Sequence, residues 1–153
     1  MIALRPLMPH DLPWLCAMEQ SLQAQPWSLA MLEEELRLDA WGRIACSPAQ
    51  QPMGYAIARR FVDELHLLTL GTALPHQRQG VARHLLQALV DYAQAEQIPF
   101  LLLEVAASNR PACTLYQDMG FRLLYTRKSY YTLPGGHGEA FVMRRELMPD
   151  KPV

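Results

Sequence analysis

The chain has 153 residues, 50% of them hydrophobic, with 14 Lys plus Arg against 15 Asp plus Glu for a formal net charge of -1. That is the size of one ordinary domain with a real core, and its near-neutral charge argues against any general attraction to nucleic acid or to an anionic membrane surface. Three widely spaced cysteines, Cys16, Cys46 and Cys113, with no Cys-x-x-Cys pair, and 5 scattered histidines argue against a disulfide or zinc framework, and the expected compartment is a reducing one, the cytoplasm.

The opening MIALRPLMPHDLPWL is broken by Pro6, Pro9, Asp11 and Pro13, so it does not read as a signal peptide, and no run reaches the ~18 apolar residues of a membrane span. Ile2–Arg5 alternates and is closed by Pro6, which predicts a first strand. Pro9–Leu22 predicts a helix, with Asp11 near its start and Leu12, Leu15, Ala17, Met18 and Leu22 at roughly helical spacing. Gln23–Ser28 interrupts it. Ser28 suits the cap of a second helix, Leu29–Leu38, expected to turn Leu29, Leu32 and Leu36 inward and to leave Glu33, Glu34, Glu35 and Asp39 in solvent. Trp41–Cys46 and Met53–Phe61 alternate as two strands joined by a polar loop, Ser47–Pro52.

Glu64–Pro75 predicts a buried strand that ends in a proline unable to donate to a ladder. The turn His76–Ala82 leads into an amphipathic helix as far as Glu96. Ala82, Leu85, Leu86, Leu89, Val90 and Ala93 form one face of it, and Arg83, Gln87, Asp91, Gln94 and Glu96 the other. The first amides of a helix lack internal partners and lie at the positive end of its dipole, so an anion fits in front of this one. Gly80 lets a ligand come close to the backbone, Ala82 keeps the next turn small, and Arg78 and Arg83 add positive charge. The plain alternative is a glycine near a helix start with two solvated arginines.

Phe100–Ala107 is an apolar run, expected to be a central strand covered on both faces, with Glu104 as its single carboxylate. Such a group is costly unless paired, placed at the strand end or used, and burial would suit it to general-base work. Asn109 can cap the next helix, with Pro111 in its first turn, Ala112, Leu115, Tyr116 and Met119 on one stripe, and Gly120 just past its end. Phe121–Tyr131 and Glu139–Leu147 predict strands around a turn-rich loop, Thr132–Gly138. The expected order is β, α, α, β, β, β, α, β, α, β, β. This is an α/β chain with one mixed sheet and helices on both faces, a single domain over residues 1–147 and a frayed tail, Met148–Val153.

Three segments carry a resemblance. Gln77-Arg78-Gln79-Gly80-Val81-Ala82 follows one strand, Leu103-Glu104-Val105 with Ser108-Asn109 the next, and Leu115-Tyr116-Gln117-Asp118-Met119-Gly120-Phe121 comes after that. Together they resemble the GNAT family of acetyl-CoA-dependent N-acetyltransferases, the first matching its Q/R-x-x-G-x-G/A signature. Within it, Pro26-Trp27-Ser28, Val62-Asp63-Glu64, Leu103-Glu104-Val105, Ser108-Asn109 and Tyr130-Tyr131 look most like the RimI-type ribosomal-protein-alanine N-acetyltransferases.

The resemblance implies acetyl-CoA as cosubstrate and no metal. It places the pantetheine arm on the backbone of Leu70, Gly71 and Thr72, and the pyrophosphate on the amides of Arg78, Gln79, Gly80, Val81, Ala82 and Arg83. Asn109 becomes a further coenzyme A contact, Glu104 the general base, and Tyr116 the general acid. Trp27, Tyr130 and Tyr131 are expected to wall the acceptor slot. The implied acceptor is a protein N terminus, that of a small-subunit ribosomal protein starting with alanine. Three positions depart from the pattern: Gly71 replaces the usual alanine, Pro75 stands one place late, and Ala106 replaces an arginine. Two alternatives share the sequence features, an acetyltransferase of a small-molecule amine or amino acid and a coenzyme A-binding module without catalysis.

Overall fold

Period-2 and helical apolar spacing are realised in the expected order. The computed structural model describes residues 1–133 and 136–147, and the side chains of these except 129–133 and 136–137. Its strands are β1 (Ala3–Pro6), β2 (Trp41–Cys46), β3 (Pro52–Phe61), β4 (Glu64–Thr72), β5 (Phe100–Ala106), β6 (Arg122–Leu133) and β7 (Gly136–Glu146). Its helices are α1 (Leu12–Leu22), α2 (Leu29–Arg37), α3 (Val81–Ala95) and α4 (Arg110–Asp118). The seven strands form one mixed sheet in the order β1-β2-β3-β4-β5-β7-β6. β4 and β5 run parallel through Glu64↔Phe100, Leu65↔Leu101 and His66↔Leu102, while β7 runs antiparallel to both of its neighbours, β5 and β6. Among the described residues no helix is long and apolar enough to cross a membrane.

The chain divides into two compact units, Met1–Arg60 with Leu67–Leu89, and Phe61–His66 with Val90–Val153. In the first, Leu7, Leu12, Leu15, Leu32, Ile44, Tyr55 and Ile57 form the core, and Trp14, Trp27, Leu36 and Leu68 pack on it partly buried. The predicted start of α1 is a separate 3-10 turn, Pro9–Asp11. Its buried Asp11 carboxylate accepts from both Arg5 guanidinium nitrogens at 2.8 and 2.7 Å and from the Met8 N–H at 2.8 Å. The Arg5 guanidinium holds that carboxyl below the usual carboxylate range. Ser28 caps α2 as expected, its hydroxyl accepting from the Met31 N–H at 3.2 Å.

The inward face of α2 differs from expectation. Leu32 is buried, but Leu29, the first helical residue, is exposed, and Glu35 takes an inward place. Arg59 at 2.9 Å supplies the counter-charge that lets Glu35 lie there.

β4 ends at Thr72 rather than Pro75, because Leu74–His76 closes into a 3-10 turn. Nor are β4 and β5 covered on both faces. Leu65, Leu67, Thr69 and Gly71 alternate with half-buried neighbours, as do Leu101, Leu103 and Val105. Gly71 is explained by its surroundings: a Cβ there would overlap the Tyr55 hydroxyl and lie 2.5 Å from Cζ and 2.7 Å from Cε1 of the same ring. Overpacking of this kind costs about 1–3 kcal/mol, so Gly71→Ala is expected to lower the urea midpoint by that equivalent. An unchanged midpoint would show that Tyr55 has room to swing aside.

In the second unit Ile98, Leu101, Leu103, Val105, Tyr116, Met119, Phe121, Ala140, Val142 and Met143 are buried. Asn109 caps α4, its Oδ1 accepting from the Ala112 N–H at 3.3 Å, and Gly120 adopts φ 90° past its end. Most of the predicted loop Thr132–Gly138 is ladder instead, through Tyr131↔Gly138, Thr132↔His137 and Leu133↔Gly136. The β-branched and aromatic run Tyr130–Leu133 carries the strand past the point where the glycines suggested its end. The tail Met148–Val153 lies outside the described residues.

Candidate active site

The turn before α3 is the expected anion cradle. Gln77, Arg78, Gln79 and Gly80 are exposed, and two of them are left-handed, Arg78 at φ 64° and Gly80 at φ 84°. Gln77 before them is extended, at φ -69° and ψ 153°. The turn is tied from below, Gln77 Nε2 donating to the Thr72 carbonyl at 3.1 Å and Gln79 Nε2 to the Pro75 carbonyl at 3.3 Å. The helix ladder begins with the His84 N–H on the Gly80 carbonyl at 3.0 Å, so the amides ahead of it point out of the helix start. Apart from its chain neighbours, no heavy atom lies within 4 Å of where a Gly80 Cβ would stand, which leaves open space above the backbone. Val81 is buried and Ala82 half-buried, so the cradle is anchored by its far side.

Leu70–Thr72, the expected cosubstrate strand, ends in that turn. The Leu70 carbonyl accepts from Gln23 Nε2 at 3.0 Å, and Gln23 also reaches the Tyr55 hydroxyl at 3.4 Å. Tyr55 in turn donates to Glu19 Oε2 at 2.5 Å. Burial pushes the Tyr55 phenol far above its ordinary range, and the hydrogen bond to the Glu19 carboxylate pushes the same way, so it stays protonated. Trp27 packs partly buried on the first unit's core with its N–H on Glu19 Oε1 at 3.0 Å.

The second unit holds Glu104, Asn109, Tyr116, Tyr130 and Tyr131. Glu104 is not buried: it stands on the half-exposed face of β5 with its side chain 31% exposed, and Arg127 Nη1 on β6 donates to its Oε1 at 2.6 Å. One strand, β7, separates the pair in the sheet. Ala106, Ala140 and Arg127 form one cross-strand row, and the small Ala140 lets the arginine arm lie across β7 to Glu104. Arg127 therefore brings positive charge to the row where Ala106 lacks it. Tyr116 is 7% exposed, with its ring edge-on to Phe121 at 5.9 Å between centroids. Tyr130 and Tyr131 lie in β6, their side chains outside the described residues. Burial pushes the Cys113 thiol up, so nothing favours a thiolate nucleophile beside Asn109. Among the described residues no group of three or more His, Cys, Asp or Glu could hold a metal ion.

Sequence reasoning passed over Glu19, Gln23, Tyr55 and Arg127. Glu19 had a signal, standing four residues after Leu15 and three before Leu22 on the apolar stripe of α1. Arg127 had none, since its partner depends on strand register.

Residues 8–121 match the acetyltransferase (GNAT) family. The chain is 33% identical, over 87% of its length and 89% of the other's, to a ribosomal protein bS18-alanine N-acetyltransferase of Salmonella typhimurium. It superposes with a TM-score of 0.91 and 28% identity on the crystal structure of the ribosomal-protein-S18-alanine N-acetyltransferase from Escherichia coli, covering 100% of this chain and 99% of that one. Arabidopsis thaliana NAA60 in complex with acetyl-CoA matches with a TM-score of 0.83 over 96% of this chain and 99% of that one; at 19% identity this is a likeness of fold.

Proposed function

This chain belongs to the acetyltransferase (GNAT) family, and we propose that it moves the acetyl group of acetyl-CoA to the N-terminal α-amino group of a protein, specifically an N-terminal alanine of a small-subunit ribosomal protein. It is an N-acetyltransferase by family. Glu104 carries the finer assignment: it is an accessible carboxylate, oriented by Arg127, in a chain similar over 87% of its length to an enzyme that acetylates such an alanine.

Acetyl-CoA would lie with its pyrophosphate on the amides of Arg78, Gln79, Gly80, Val81, Ala82 and Arg83 and its pantetheine arm along Leu70, Gly71 and Thr72. Since Asn109 Oδ1 caps α4, its Nδ2 is the atom left to meet the cosubstrate. Glu104, directly or through one water, takes a proton from the acceptor ammonium. The freed amine attacks the thioester carbonyl, the C–S bond breaks, and Tyr116 protonates the departing thiolate. Backbone N–H groups of the Leu70–Thr72 strand would polarise the carbonyl oxygen. An α-amino group titrates at ~7.7–8.0 and lysine at ~10.4, so roughly a tenth or more of the former is neutral at pH 7 and a modest base suffices. Trp27, Tyr130 and Tyr131 wall the acceptor slot. The enzyme acts as one domain, residues 1–147, in the cytoplasm, with neither nucleic acid nor membrane as partner.

The test is thiol release from acetyl-CoA with a peptide bearing a free N-terminal alanine, beside the same peptide N-blocked but carrying lysine, and a panel of small amines. Turnover confined to the free N terminus is expected. Turnover only with small amines would move the chain to another branch of its family. Coenzyme A binding with no turnover of any amine would favour a binding role.

A further inference from the structure

Glu19 is 0% exposed, and no step of acetyl transfer uses it. Three neutral donors converge on its carboxylate. The Trp27 N–H reaches Oε1 at 3.0 Å, and the Tyr55 and Thr69 hydroxyls reach Oε2 at 2.5 and 2.7 Å. Gln23 extends the cluster to the Leu70 carbonyl at 3.0 Å. A carboxylate buried without a cation is expensive, and packing alone would be served as well by an apolar side chain. An apolar residue, however, would not join these particular groups. Trp27 belongs to the connection between α1 and α2, Tyr55 to β3, and Thr69 and Leu70 to β4. A carboxylate accepts on both oxygens, so it can hold donors from all three elements at once.

The connection depends on it more than the strands do. β3 and β4 are elements of the sheet, whereas the connection Gln23–Ser28 is tied to the rest of the unit, among the described residues, by the Gln23 side chain at its start and by the Trp27 backbone N–H on Glu19 near its end. We propose that Glu19 is a positioning residue for the acceptor: its carboxylate sets Trp27 at a fixed place beside the Leu70 strand, so that the acceptor meets a preformed wall when it binds. This rests on Trp27 as acceptor wall and Leu70–Thr72 as cosubstrate strand.

Glu19→Gln, which keeps the shape and one acceptor oxygen but sets an NH2 against the two hydroxyls, and Glu19→Ala are compared with wild type by peptide KM, kcat, coenzyme A Kd and melting. Because a displaced Trp27 weakens the hold on the acceptor alike in the ground and transition states, the expected result is an acceptor KM raised about 10-fold, with kcat and coenzyme A Kd moving less than about threefold. A merely structural glutamate would lower melting and active fraction and leave KM alone. Unchanged acceptor KM in a variant that folds overturns the proposal, and so does a KM that rises only in step with the coenzyme A Kd. If neither Glu19 variant folds, Tyr55→Phe removes one donor and keeps the ring, and is expected to give the same split at about threefold; no split there overturns the proposal as well. Wild type turning over small amines but no N-terminal peptide would sink the N-terminal acceptor instead, and the same ratio taken with that amine still judges Glu19.

Discussion

Glu104→Gln is expected to lower kcat on an alanine-starting peptide by about 10²–10⁴-fold, the range general-base catalysis supplies, while coenzyme A Kd stays within about twofold. The substitution is isosteric and leaves the strand pairing of β5 intact. It also removes the charge from the ion pair with Arg127, but that pair is exposed, its side chains 42% and 31% accessible. Pairs of that kind contribute about 0–1 kcal/mol, so melting should barely move. The pH profile is the sharper measurement. A base is needed only while the acceptor is protonated, so the deficit of the variant should shrink as pH rises past the α-amine value of ~7.7–8.0. A peptide analogue with a less basic N terminus should shrink it too. A deficit that ignores both pH and amine basicity would mean that Glu104 does something other than accept this proton.

Tyr116→Phe is expected to lower kcat by about 10²-fold with acetyl-CoA KM unchanged. The ring is almost wholly buried against Phe121 and keeps that packing in the variant, so what is lost is the hydroxyl. Its effect should be smaller than that of Glu104, because a thiolate whose conjugate acid titrates at ~8.5 can leave without being protonated, whereas an ammonium cannot attack until it has lost its proton. The two roles separate on the acceptor: lowering amine basicity relieves Glu104→Gln and leaves Tyr116→Phe where it was. An equal response of both variants to amine basicity would remove Tyr116 from the leaving-group side.

What the sequence determined alone was local. Helical spacing placed α3, side-chain caps at Ser28 and Asn109 opened α2 and α4, and glycines at 80 and 120 stand where the backbone takes φ 84° and 90°. Each is a property of a few consecutive residues, so the element order and the turn before α3 were legible without coordinates. Glu104 and Tyr116 were legible as types in place, by their motifs.

What only the tertiary structure decided was which residues meet. The apolar run Phe100–Leu103 hid the alternation of β5, because both of its faces are leucine-rich while only one is fully covered, and so Glu104 looked buried when it is not. Its partner Arg127 lies 23 residues on and two strands across, reachable only because register puts Ala140 between them. Thr69 is 50 residues from Glu19, and the Tyr55 phenol fills the space that Gly71 leaves. Such contacts depend on strand register and on the packing of helix against sheet, which no local pattern encodes: a one-residue slip of a strand would send the same side chains to the opposite face.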